Sequence, residues 1–384
     1  MIKKILWISN GSTLNGAERC LLESATCLSS NANIVSKILI PEDGHLKNEL
    51  IKEGIYDLEN VSLPWWIDRG TNLNITEKLM LLLKILKSIF KLIVIVKRYK
   101  PDVIITNTIA CPCGSIAAFL LKKKHIWYIH EFGKEDHGFD FVYGTKLSTK
   151  IIDKLSCIVI LNSKSVYNKY YKLIDNKKIE ILNCEVRVPI QTITSDNKNN
   201  KEFKILIAGR ITESKGQLEA VNALIELNKK YNLFDKKIKL NILGSIGNEV
   251  YYENIKDIIS KNLLNEYVEF LPFCENPFNI IASSNLLLMC SKNEAFGRIT
   301  VEALKLGIPV IGAKIGGTLE IIKENKNGLF YELGNYKQLA ERILELYKNE
   351  VLYKILSENA KRGANELYNN ENHTNDLIKI LNKL

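Results

Sequence analysis

Glu294-Ala295-Phe296-Gly297-Arg298-Ile299-Thr300-Val301-Glu302, set directly after the apolar run Leu286-Leu287-Leu288-Met289-Cys290, decides the fold of this 384-residue chain. The run reads as a buried central strand of a parallel sheet, Phe296-Gly297 as the turn that leaves it, and Ile299 to Leu306 as a helix closed by Gly307, with Pro309 just beyond. Two carboxylates eight positions apart therefore bracket a strand-to-helix turn, Glu294 in the crevice at the strand's end and Glu302 one turn down the helix. Free N–H groups in a helix's first turn favour a phosphate, whereas carboxylates accept from neutral hydroxyls such as those of a ribose or a hexose. One end calls for an anion and the other for a polyol. A sugar nucleotide carries both.

Upstream, Lys204-Ile205-Leu206-Ile207-Ala208-Gly209-Arg210 runs as a strand into the polar loop Ile211-Thr212-Glu213-Ser214-Lys215-Gly216, ahead of a helix from about Gln217. Arg210 and Lys215 can neutralise a diphosphate from the side opposite the helix dipole. Downstream, Pro309-Val310-Ile311-Gly312-Ala313 leads to Gly316-Gly317-Thr318-Leu319-Glu320, where paired glycines allow close approach of backbone to ligand. The order and spacing of these segments resemble the nucleotide-sugar half of the retaining glycosyltransferases of family 4, the group 1 glycosyltransferases. That family has the α/β GT-B fold: two Rossmann-like, doubly wound parallel-sheet domains facing a central cleft. The resemblance is specific over residues 203–332 and looser before them. It implies transfer of a sugar from a nucleotide-diphosphate sugar to a hydroxyl of a glycan or lipid-linked glycan, with retention at the anomeric carbon. Glu294 would bind the sugar hydroxyls and Glu302 the ribose, with Gly209, Ala295, Phe296 and Gly297 around the donor. No Asp-x-Asp metal motif stands in the expected places. The leaving diphosphate thus falls to Arg210, Lys215, the helix N-terminus near Gly297 and backbone N–H groups at Gly16, and transfer is expected to need no metal or other cofactor.

At 384 residues and 46% hydrophobic, the chain is long enough for two domains with separate cores. Two strand-turn-helix openings divide it, Ile5 to Cys20 and Phe203 to Ala220, each reading as the first βα unit of a doubly wound sheet. Between them an Asn-rich polar stretch is the linker candidate. The expected division is residues 1–187 for the acceptor, a linker at 188–202 and residues 203–369 for the donor. By resemblance, residues 370–384 cross back onto the first domain. Two departures from the family pattern stand out. Asn15 occupies a place where a second glycine often precedes Gly16; asparagine tolerates positive φ, so the loop can still approach phosphates. Asn183-Cys184 replaces the usual Asn-Gly before the linker, which implies a stiffer hinge.

Residues 1–190 hold 27 Lys and Arg against 19 Asp and Glu, and the rest 26 against 24, so nearly all of the net +10 lies in the first half. That asymmetry points to an anionic partner there. Residues 77–99 form an apolar helix with Lys84, Lys87, Lys91 and Arg98 on one stripe, preceded by the aromatic pair Trp65-Trp66. Two readings stand: the helix lies on an anionic membrane surface, or it covers the sheet with its lysines solvated. Nucleic acid is not expected, since basic and aromatic residues do not interleave. No stretch of about 18 apolar residues appears, and the first residues run straight into a strand, so the expected place is the cytoplasm, at the inner face of the membrane if the first of those two readings of the helix holds. The eight cysteines lack paired metal spacing, and Cys111-Pro112-Cys113 is too short to clamp zinc; all eight are expected as free thiols, with no metal site.

His130 and Glu131 end the strand Ile126-Trp127-Tyr128-Ile129, at the edge where ligands of an open α/β sheet bind. The resemblance places His130 beside the reacting carbon of the donor sugar. Glu131, Asp136 and His137, in the polar stretch that follows, suit an acceptor lid. Backbone groups around Phe273 and Cys274 are expected to read the base. Two other functions stay open: an epimerase of the same fold, which would turn over donor without acceptor, and a non-catalytic sugar-nucleotide-binding partner subunit.

Overall fold

Short runs rich in Ile, Leu and Val become strands buried on both faces, and the amphipathic segments between them become the helices that cover those faces. The structure is a computed structural model that describes residues 3–68, 70–189, 202–231 and 237–384. Most of the expected linker, residues 190–201, lies outside the described residues. The chain divides into two compact units, Met1–Glu185 with Asn369–Leu384, and Val186–Tyr368.

The first unit contains β1 (Lys3–Ile8), β2 (Ile34–Ile40), β3 (Leu58–Asn60), β4 (Ile67–Asp68), β5 (Val103–Asn107), β6 (Lys124–Ile129), β7 (Asp140–Phe141), β8 (Ile158–Leu161) and β9 (Ile179–Ile181). Seven of these make a parallel sheet in the order β3-β2-β1-β5-β6-β8-β9, and β4 pairs antiparallel with β7. Winding reverses between β1 and β5, which opens a crevice at the carboxyl ends of those strands. The helix Asn370–Asn382 belongs to this unit: Leu377, Ile380 and Leu381 enter the core beside Leu21, Ala25 and Leu28, and His373 Nε2 meets Ser24 Oγ at 2.9 Å.

The second unit holds β10 (Phe203–Ala208), β11 (Ile238–Leu243), β12 (Val268–Leu271), β13 (Leu286–Met289), β14 (Val310–Ala313) and β15 (Gly328–Tyr331). They form a parallel sheet ordered β12-β11-β10-β13-β14-β15, and the switch point lies between β10 and β13, paired Ile205 to Leu286 and Ile207 to Leu288. Both segments singled out from the sequence, 209–216 and 294–302, leave the carboxyl ends of these two strands. The fold is GT-B, an α/β architecture of two Rossmann-like parallel-sheet domains.

One expectation fails here. Cys20 and Cys184 are not free thiols but a disulfide pair, with Cα atoms 5.8 Å apart. The second turn of the helix Gly16–Ser29 and the segment that follows β9 lie side by side although 164 residues separate the two sulfurs, a proximity that residue spacing could not reveal. The other six cysteines form no disulfide.

Candidate active site

In the second unit, β10 ends at Ala208 and the chain turns at Gly209, whose φ of +149° favours glycine. Arg210 follows and is exposed, its aliphatic stem lying over Gly247, where a Cβ would meet Arg210 Cγ at 2.6 Å. The loop ends at Gly216, φ +72°, where a Cβ would sit 2.2 Å from Cys290 O. Lys215, just before it, is thereby held against the end of β13. Its Nζ donates to Glu294 Oε2 at 2.8 Å, with both side chains mostly shielded from solvent. The expected cation and the expected carboxylate are thus in contact. A residue the sequence reading missed fixes this turn: Gln217 is fully buried, and its Nε2 donates to Arg210 O at 3.1 Å. A polar residue at the first helical position after a glycine was the available signal.

The stretch 294–302 folds much as its pattern implies. Gly297 caps the helix Arg298–Lys305 at φ +93°, one residue earlier than expected, and Gly307 at φ +77° follows its C-terminus. Ala295 and Phe296 are buried beneath Glu294. Glu302 is also buried, and its Oε1 accepts from Arg298 Nε at 3.1 Å, one helical turn away. Gly316 and Gly317 serve a different purpose from the one their pairing suggested. They approach the Glu294 loop rather than open space: Gly317 N donates to Glu294 O at 2.7 Å, and a Cβ on Gly317 would lie 2.6 Å from Phe296 O. The pair therefore sets the position of Glu294. Beyond β12, Phe273 is 58% exposed and Cys274 partly so.

In the first unit, Gly16 opens the helix Gly16–Ser29, and a Cβ there would meet nothing within 4 Å. Asn15 sits at φ −73° in extended backbone, so the positive φ anticipated for it is not used. Glu18 is buried at this helix start and accepts from the backbone N–H groups of Asn15 and Glu18; burial pushes its pKa up. The first-turn donors expected at a phosphate are thus partly taken by the protein's own carboxylate.

His130 is 8% exposed. Its Nε2 meets Asn107 Oδ1 at 2.8 Å, and its Nδ1 is buried with no hydrogen-bond partner. Burial, with the nearby His373 second, lowers its pKa to about 3, so the ring is neutral at pH 7. Asn107, the residue that orients it, carried no sequence signal beyond ending a strand. Glu131 points inward, its Oε2 accepting from His130 N at 3.0 Å and more distantly from Ile109 N; burial, then Asp136, pushes it up to about 8, a neutral acid at pH 7. Asp136 is engaged in its own loop, accepting from Phe132 N and Gly133 N, each at 2.8 Å. His137 ends the short helix Lys134–His137, and its side chain lies outside the described residues.

The helix Ile75–Tyr99 starts with a capping box between Asn74 and Glu77 and buries Ile85, Ile89, Leu92, Ile95 and Val96. The opposite face is open: Ile75, Leu79, Leu82, Leu83, Leu86, Phe90 and Val94 recur at steps of three and four and are exposed, up to 86% at Ile75 and 69% at Phe90. Lys84, Lys87 and Lys91 flank this stripe and are exposed. Arg98 is already paired, its Nη2 2.6 Å from Glu59 Oε2. Trp66 is not interfacial but 2% exposed, donating from Nε1 to Ile109 O at 2.8 Å and stacking on Trp127; Trp65 is the partly exposed member. No helix of the described residues is long and apolar enough to cross a membrane.

The family described as glycosyl transferases group 1 matches residues 191–363. The chain is 29% identical over 265 residues to an uncharacterised glycosyltransferase of Methanocaldococcus jannaschii, covering 66% of this chain and 67% of that one. It is 25% identical over 303 residues to the capsular polysaccharide biosynthesis glycosyltransferase CapM of Staphylococcus aureus, covering 74% and 78%. Among solved structures, Anabaena HepE in complex with UDP and glucose superposes with a TM-score of 0.80 at 20% identity, with both chains fully covered. The switch-point loops and the Glu294–Glu302 turn lie inside the segment that matches the group 1 glycosyltransferases.

Proposed function

We propose that the chain is a retaining glycosyltransferase that moves a sugar from a nucleoside-diphosphate sugar to a hydroxyl of a glycan or lipid-linked glycan during cell-envelope polysaccharide synthesis. The Lys215–Glu294 contact at the β10/β13 switch point carries this reading. A cation for the diphosphate and a carboxylate for sugar hydroxyls stand 2.8 Å apart, at the strand ends where an open sheet binds ligand. Breaking the glycosyl phosphate bond puts positive charge on the sugar and negative charge on the departing diphosphate. Arg210, Lys215 and the N–H groups after Gly297 hold that developing anion. The acceptor hydroxyl attacks from the face the leaving group vacates, and a diphosphate oxygen takes its proton. Glu302 binds the ribose after giving up part of its Arg298 contact, and Phe273 and Cys274 border the base. The reading rests on the second unit alone; His130 belongs to the first, where Asn107 holds its Nε2. Without an Asp-x-Asp pair, these cations replace a metal.

A thermal-shift panel of UDP-, GDP-, ADP- and dTDP-sugars tests the donor; one donor class should raise the midpoint, and no shift with any of them defeats the proposal. Turnover of donor without acceptor would favour the epimerase instead.

The second part of the proposal is the partner of the first unit, an anionic membrane surface that holds the protein at the inner face of the cell membrane. Seven exposed apolar side chains beside three lysines are what an interfacial helix presents. Each lysine near such a surface contributes about 1 kcal/mol, screened by salt. Replacing Lys84, Lys87 and Lys91 with Gln should weaken sedimentation with anionic vesicles on the order of a hundredfold at low salt. Wild-type protein that ignores those vesicles returns the helix to sheet cover.

A further inference from the structure

We propose that Cys20, His130 and Cys184 form a soft-metal site, which takes one thiophilic divalent cation of the Zn2+ class when both sulfurs are thiolates and closes as a disulfide when they are oxidised. Three separate elements meet there: the helix Gly16–Ser29, the carboxyl end of β6 and the segment after β9. The ligand atoms of the three residues all lie within 4.8 Å of one another, and all three residues are buried. Cα atoms 5.8 Å apart suit the disulfide, and they equally let two thiolates reach one ion.

The imidazole is what distinguishes this cluster from a plain cystine. Asn107 Nδ2 donates to Ala17 O at 2.9 Å, which turns its Oδ1 toward His130 Nε2 at 2.8 Å. Nε2 therefore carries the ring proton, and Nδ1 keeps its lone pair. That lone pair is buried and unpartnered. A disulfide has no proton to offer it, whereas a metal ion or a thiol satisfies it. Holding the other ring nitrogen in a hydrogen bond is how proteins orient a metal-bound histidine. Tyr128 OH, which donates to Leu182 O at 3.4 Å, lies 3.8 Å from Cys184 Sγ and can turn its proton to a thiolate there. Two thiolates and a neutral imidazole match a divalent charge and select a soft or borderline ion over Mg2+. Opening the disulfide consumes two electrons and two protons from a dithiol reductant, and metal binding then releases the two thiol protons to solvent.

The site is independent of the donor reading, and so is its test. Full-length protein reduced with dithiothreitol, then freed of reductant without oxygen, is dialysed against Zn2+ and its metal content measured, with Co2+ substituted to look for sulfur-to-cobalt charge-transfer absorption. About one ion per chain and the charge-transfer band are expected, both lost in Cys20→Ser and Cys184→Ser, weakened at least tenfold in His130→Ala, and retained in Cys157→Ser. In the wild-type chain, which avoids any folding defect of the variants, Zn2+ should protect Cys20 and Cys184 from alkylation while exposed Cys157 reacts. No zinc uptake by the reduced protein, undiminished uptake without Cys20 and Cys184, or alkylation unchanged by Zn2+ overturns the proposal.

Discussion

Replacing Lys215 with Ala separates what this residue does for the reaction from what it does for the fold. Its ammonium lies 2.8 Å from Glu294 Oε2, with the lysine side chain 31% and the glutamate side chain 14% exposed. A partly shielded pair of this kind contributes about 1 kcal/mol to stability, the upper end of the range for surface pairs. For a unit of this size, that lowers the melting midpoint by roughly 2–4 °C. The catalytic loss is expected to be larger. A unit charge about 4 Å from the developing anion is worth ~4 kcal/mol at an effective dielectric of 20. Removing one donor to such an anion in other enzymes costs roughly 2.7–4 kcal/mol. Turnover, measured as nucleoside diphosphate released in the presence of acceptor, should therefore fall about a hundredfold to a thousandfold, while the melting midpoint drops by no more than those few degrees. Glu294→Gln should lose activity too, and because the two groups touch, the double variant should lose less than the product of the single losses. Undiminished turnover in a folded Lys215→Ala protein refutes the assignment of the donor site.

Three other expectations follow from particular atoms. Transfer should survive EDTA, since the leaving group is assigned to Arg210, Lys215 and a helix N-terminus; loss on chelation with rescue by Mg2+ or Mn2+ would return that task to a metal. Gly216→Ala should destabilise the second unit by more than the ~1–3 kcal/mol typical of backbone strain, because φ is +72° and the new Cβ would lie 2.2 Å from Cys290 O; denaturant unfolding measures it. The first unit should weaken in acid through His125, which is fully buried between Thr106 Oγ1 at 2.9 Å and Ser156 Oγ at 3.2 Å, its pKa lowered by burial to about 3. The unfolded chain takes a proton on this ring below pH 6.5 and the folded chain does not until about pH 3, so stability is intact above 6.5 and falls by about 1.4 kcal/mol per unit below it. His125→Gln should flatten that slope by one proton's worth in urea titrations between pH 6.5 and 4.5; an unchanged slope would show that the ring is protonated in the fold.

The turns of the second unit were legible because they are local. Gly209, Lys215, Gly216, Glu294 and Gly297 each lie within a few residues of a strand end, and strand, turn and helix signals sit beside them in the chain. Even there, sequence named Gly316 and Gly317 as ligand-facing, whereas contact with Phe296 O and Glu294 O across β13 and β14 determines their role. The first unit resisted for the same reason on a larger scale. His130 depends on Asn107, 23 positions away, and Cys20 finds Cys184 across 164. A helix periodicity shows which face is apolar without showing which face the rest of the chain covers, so Ile85 and Ile89 went inward and Leu86 and Phe90 outward with the same chemistry. The Lys84-Lys87-Lys91 stripe alone was therefore ambiguous between solvent and membrane. The row of uncovered Leu, Phe and Val beside it gives the membrane reading its physical basis, because apolar side chains exposed in such a row favour an apolar surface.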